Sequence, residues 1–203
     1  MTNDPLLLLL MFAGALFIAK LWWGDLKNAE AGQPNPRAFP GAVRPTRAAV
    51  LIATVGALVL LAVETMGENA LGLTAEQSTM TWLFGLYTLV APVLEELIFR
   101  GYLVVENRGR ATLWAAAIGA SLVFALIHPF LWSWGDEGFA ITWTAKGVFS
   151  TAMAFSFSLW MYVSRFAAWN ANRSLLPCVI AHAAKNLGVF GIKYAQGFVG
   201  GLW

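Results

Sequence analysis

Long apolar runs separated by short polar stretches organise the chain. Six runs, at about 5–23, 47–66, 79–106, 111–132, 139–164 and 174–199, approach the length of a membrane span. At ~1.5 Å rise per residue, a helix needs about 20 apolar residues to cross a bilayer core. The pattern therefore predicts an all-α fold: a polytopic membrane helical bundle of about six transmembrane helices. Residues 1–203 read as one integral membrane domain. Its 1–66 part holds two N-terminal helices and a cytoplasmic loop, and its 79–199 part holds a four-helix core.

Composition strengthens this reading. The 203 residues are 59% hydrophobic and 12% charged, against roughly 25% charged in an average soluble domain. No basic residue precedes the first run, and Lys20-Leu21-Trp22-Trp23 follows it as an interfacial anchor. A retained first helix is expected rather than a cleaved leader. The single cysteine, Cys178, excludes an internal disulfide and a multi-cysteine metal site; it reads as a small apolar residue in a helix.

Charge alternates from loop to loop. Residues 20–47 carry Lys20, Lys27, Arg37, Arg44 and Arg47, whereas 64–78 carry Glu64, Glu68 and Glu76 and nothing basic. Arg108 and Arg110 follow, then Asp136 and Glu137, then Arg165 and Arg173. Basic loops face the cytoplasm. The expected location is thus the cell (cytoplasmic) membrane, multi-pass, with both termini extracytoplasmic. The 24–46 stretch, with four prolines, reads as a polar connector. Trp22, Trp23, Trp132, Trp134 and Trp169 fall near span ends as interfacial aromatics do. Nothing resembles a Gly-rich phosphate loop or a nucleic-acid patch, so neither nucleic acid nor a dinucleotide cofactor is an expected partner.

Ionisable groups at membrane depth cost several kcal/mol unless paired, which makes each a functional candidate. Glu95, Glu96, Arg100, His128 and His182 are such groups, joined by the amide of Asn186. Glu96 and Arg100 are spaced i, i+4 with the glutamate first, the favourable order for an ion pair. Glu95 points about 100° away, is left without a local cation, and is free to act as a general base. Phe124 and His128 share one helix face, as do His182 and Asn186. Counted along helices from the turn at 108–112, Glu95 lies ~22 Å and His128 ~27 Å away. The two are therefore expected within about a turn of each other. Lys185 would face the same space, snorkel or pair with a carboxylate; Lys146 and Lys193 are expected to snorkel.

These residues resemble a known pattern. EELIFR (95–100), FALIH (124–128) and HAAKN (182–186) are similar to the EExxxR, FxxxH and HxxxN/D motifs of the CPBP family. That family comprises the CAAX proteases and bacteriocin-processing enzymes, also called Abi. The resemblance covers about 79–199 and implies an intramembrane endopeptidase acting on a protein or peptide in or at the bilayer. By analogy, Glu95 and His128 would activate water, while His182 and Asn186 would stabilise the tetrahedral oxyanion. Glu96, Arg100 and Phe124 would support them. Glu95, His128 and His182 would also make an acceptable zinc set with an open position. HEXXH is absent, however, and Asn186 suits an oxyanion donor, so no cofactor is expected and zinc is the alternative.

If the 108–110 turn is cytoplasmic, the site opens towards the outer half. That suits exported or membrane-anchored substrates better than prenylated CAAX proteins on the cytoplasmic face. The rival class is a non-enzymatic immunity, transport or scaffold protein using the same buried set for packing or proton relay.

Overall fold

The computed structural model describes residues 4–135 and 138–203; the acidic pair Asp136–Glu137 lies outside them. The described residues form six long helices: α1 (Pro5–Glu30), α2 (Arg47–Ala70), α3 (Trp82–Glu96), α4 (Arg110–Ile127), α5 (Ala145–Phe166) and α6 (Leu176–Ala195). A single π-helical stretch, Leu97–Tyr102, continues α3. A two-stranded antiparallel hairpin, β1 (Trp132–Gly135) with β2 (Gly138–Ile141), precedes α5. The fold is an all-α membrane bundle with this one small insertion.

Four elements are long and apolar enough to cross a bilayer: α1, α2, α3 with its π-helical extension, and α4. At 22 and 20 residues, α5 and α6 reach ~33 and ~30 Å, enough for the same crossing. Their composition is more polar because they carry Ser150, Ser158, Tyr162, His182, Lys185 and Asn186.

Side-chain chemistry marks the helix starts. Asp4, Thr46, Thr81 and Thr144 each accept a hydrogen bond from a backbone N–H of the first turn of α1, α2, α3 and α5. The packing of α2 on α6 is the most extensive in the bundle, followed by α1 on α3 and α4 on α5. Small residues make it possible. Ala49, Ala53 and Ala57 are fully buried on one stripe of α2. A Cβ added at Gly188 of α6 would stand 2.4 Å from Leu61 Cδ2, and one at Gly56 2.1 Å from Trp160 Cζ2.

Several expected boundaries move. The first helix runs on to Glu30, so only 31–46 is a connector, and that connector packs on the bundle. Trp22 is buried in the core and its indole N–H donates to Pro40 O at 3.2 Å; it is not an interfacial anchor. The second helix runs on to Ala70, which places Glu64 and Glu68 on helix rather than loop. The fourth stops at Ile127 because Pro129 disfavours the α conformation at the residue before it. His128 is extended, with φ −75° and ψ 131°.

The basic loops gather at one end. Ser174 Oγ donates to Val43 O (2.6 Å), Asn172 Nδ2 to Arg44 O (3.0 Å), and Arg173 pairs with Glu106 (2.6 Å). At the other end, the 196–203 segment bridges Met80 through Val199 and accepts the first N–H groups of α3 at Gly201 and Leu202.

Candidate active site

The EE pair splits by exposure. Glu96 is fully buried, while Glu95 keeps 32% of its side chain accessible. Both sit at the end of α3, where the backbone passes into the π-helical stretch. There Leu103 N bonds to Ile98 O, five residues back. That register leaves Phe99 O to be satisfied from outside, and the buried Tyr162 hydroxyl of α5 donates to it at 2.6 Å. Single π turns of this kind occur frequently at functional sites.

Arg100 is wholly buried; its two Nη groups are bonded from α3 and α5, while among the described residues its Nε has no hydrogen-bond partner. Nη1 lies 3.2 Å from Glu96 Oε1; Nη2 donates to Ser158 O (2.9 Å) and Ser158 Oγ (2.7 Å), and Ser158 Oγ donates to Ser121 Oγ at 3.0 Å. Its guanidinium also stands 4.9 Å from the Phe124 ring centre, a favourable cation–π placement. Phe124 in turn lies 4.7 Å from the His128 ring. The phenylalanine thus separates the buried cation from the histidine and packs against both.

Glu96 has a second partner. Its Oε1 also accepts from Nδ1 of His182, on α6, at 2.8 Å. An ionised carboxylate only accepts, so the Nδ1 proton sits between the two residues. The opposite nitrogen, Nε2, faces Glu95 Oε2 at 3.8 Å. His182 therefore lies between the two adjacent glutamates, bonded to Glu96 and close to Glu95, and it rather than His128 is the imidazole nearest Glu95. Sequence spacing paired Glu95 with His128. Among the described residues those two share no direct hydrogen bond, because the extended His128 turns its Nδ1 back to Phe124 O at 2.7 Å. They do line the same cavity.

That cavity has a volume of about 440 Å³ and brings together Glu95, His128, His182, Asn186 and Phe124. Its other wall residues include Glu64, Glu68, Gln77, Lys146 and Lys193, all towards the end of the bundle opposite the basic loops. No wall residue comes from those loops. Asn186 donates its Nδ2 to Thr88 O at 2.8 Å.

Three lysines belong to this wall, and each ammonium is bonded within the protein. Lys185 pairs with Glu64 at 2.8 Å, Lys146 pairs with Glu68, and Lys193 donates to Ser78 O at 2.6 Å. Glu64 and Glu68, on the last turns of α2, count in the sequence only as loop charge, and Ser121, Ser158 and Tyr162 are not singled out there. The i, i+4 spacing of Glu64 and Glu68 was the available signal.

Both histidines line the cavity and are held through Nδ1, a support that metal ligands also use. Yet Glu95, His128 and His182 do not close around one point. Among the described residues no three His, Cys, Asp or Glu side chains gather at metal-binding spacing.

Comparison with protein families matches residues 77–188, more than half of the chain, to the type II CAAX prenyl endopeptidase Rce1-like family. The chain belongs to that family. It is a membrane protease, and its substrate is a protein or peptide at the membrane. The matched region carries all three motifs and the cavity's central residues. Comparisons with curated proteins and with solved structures found no match.

Proposed function

We propose that this member of the Rce1-like family is a glutamate-dependent intramembrane endopeptidase that hydrolyses its substrate from the extracytoplasmic half of the cell membrane. The observation that carries the reading is the single cavity joining an accessible Glu95 to His128, His182 and Asn186, with a buried Glu96 behind His182.

Glu95 takes a proton from a water molecule, which His128 helps to orient. The water oxygen bonds to the peptide carbonyl carbon, and the electron pair of the C=O bond moves onto oxygen. His182 and Asn186 donate hydrogen bonds to that oxyanion. The oxyanion's electron pair then re-forms the C=O bond as the C–N bond breaks and the proton held by Glu95 passes to the leaving nitrogen, giving a carboxylic acid and an amine that end as carboxylate and ammonium. Donation from His182 Nε2 requires the doubly protonated ring.

Access favours the extracytoplasmic side, because the cavity's walls lead away from the basic loops and positive loops face the cytoplasm. Exported or membrane-anchored polypeptides are the substrates that reach such an opening. A prenylated carboxyl terminus arriving from the cytoplasm is the second reading, and family membership favours it.

Metal dependence is tested directly. Membranes bearing the protein are treated with a zinc chelator, and new protein termini are followed by mass spectrometry. Unchanged cleavage is expected. Cleavage abolished by the chelator and restored by zinc would overturn the metal-independent mechanism.

A further inference from the structure

Pro92 lies inside α3, one turn before Glu95 and Glu96, and is fully buried. A proline has no backbone N–H, so the carbonyl four residues earlier loses its helical partner. Here that carbonyl belongs to Thr88, the group that accepts the Asn186 amide at 2.8 Å. A carbonyl can only accept. The amide must therefore turn its NH₂ side towards α3, and one of its two N–H groups is committed there.

We infer that Pro92 is a positioning residue for Asn186: by leaving Thr88 O unclaimed within α3, it supplies the acceptor that fixes the amide's orientation in the cavity. The inference rests on Asn186 acting as an oxyanion donor. Among the described residues Thr88 O is the sole hydrogen-bond partner of the Asn186 side chain. Without it the terminal torsion of the amide is broad and roughly two-fold, and the remaining N–H has no fixed direction. An ordinary residue at position 92 would return its own N–H to Thr88 O and compete for that acceptor. A proline in a helix interior, normally destabilising, here frees a contact at the reacting centre. The same contact ties α3 to α6 near the level where Glu96 holds His182.

The test is a four-member cycle in the full-length protein: wild type, Pro92→Ala, Asn186→Ala and the double variant. Thermal unfolding in detergent micelles gives Tm, and the rate at which new protein termini appear in membranes gives activity. Asn186→Ala leaves the partly buried Thr88 O without its protein partner and should lower Tm. Adding Pro92→Ala supplies the missing N–H and should restore most of that loss. Pro92→Ala alone should keep or raise Tm yet slow cleavage roughly 10–100-fold, as a small misplacement of a catalytic group does. A change confined to stability would not produce that split. Wild-type cleavage by Pro92→Ala, or Tm changes that simply add in the double variant, would overturn the inference. If Pro92→Ala fails to accumulate, Pro92→Ser delivers the same N–H and the same two readouts. If wild-type membranes yield no new termini, the catalytic reading of the site falls, while the Tm cycle still decides whether Pro92 and Asn186 are coupled.

Discussion

Glu96 Oε1 accepts a hydrogen bond from His182 Nδ1 at 2.8 Å, across the contact between α3 and α6. One carboxylate oxygen thereby holds a histidine on one side and Arg100 on the other. The second residue of the EE motif is the hub of the site's support, and Glu95 alone is presented to the cavity.

Removing that hub strands a buried cation. Glu96→Ala leaves Arg100 without its counter-charge in an interior that excludes water, and breaking such a pair costs about 3–5 kcal/mol. A lower Tm in detergent and reduced accumulation in membranes are expected. A Glu96→Ala protein as stable as wild type would show that Ser158 and the aromatic rings suffice to hold Arg100.

The Lys185–Glu64 pair ties α6 to the last turns of α2 at 2.8 Å, with only 12% and 19% of the two side chains exposed. A double-mutant cycle with Lys185→Met and Glu64→Gln should return a coupling of roughly 0.5–3 kcal/mol in unfolding free energy. Additive effects would mean that the two charges are each compensated elsewhere.

Pro129 fixes the place of His128. With Pro129→Ala the bar on α conformation at His128 is lifted, and α4 can continue past Ile127. The imidazole would then leave the wall shared with Glu95. Cleavage should fall while Tm holds or rises. An unchanged cleavage rate would argue that His128 contributes little to water activation.

The direction of access is open to a topology reporter. Fused within Arg108–Arg110, in the loop that meets Arg173 through Glu106, it should report a cytoplasmic position. An extracytoplasmic signal would invert the access argument and favour the prenylated substrate from the cytoplasm.

Much of the site was visible in the sequence because charge at membrane depth is rare. Glu95, Glu96, Arg100, His128 and His182 stood out for that reason alone, and the i, i+4 spacing correctly paired Glu96 with Arg100. Partners across helices were harder to read. Whether Glu95 meets His128 or His182 depends on the rotation of α6, which is set by the close fit of Gly188 against Leu61 and by the alanine stripe of α2. No periodicity along α3 or α4 encodes it. The helical placement of Glu64 and Glu68 was hidden by Gly67 and Asn69, which read locally as a loop. Packing against α5 holds the helix there: a Cβ at Gly67 would stand 2.6 Å from Phe149 Cζ. The hairpin before α5 is likewise masked by the hydrophobicity of Trp132 and of the exposed Trp134, Phe139 and Ile141.

We propose Glu95 as the reacting carboxylate and Glu96 as its structural neighbour. The most direct test compares the termini of membrane proteins in cells carrying wild type, Glu95→Gln or no protein, with the amount of the Glu95→Gln chain measured alongside. Glu95→Gln keeps the side chain's shape and removes the base. The Glu95→Gln protein should accumulate to the wild-type level and yield the same termini as cells lacking the protein. Persistence of the wild-type termini in the Glu95→Gln cells would contradict the proposal.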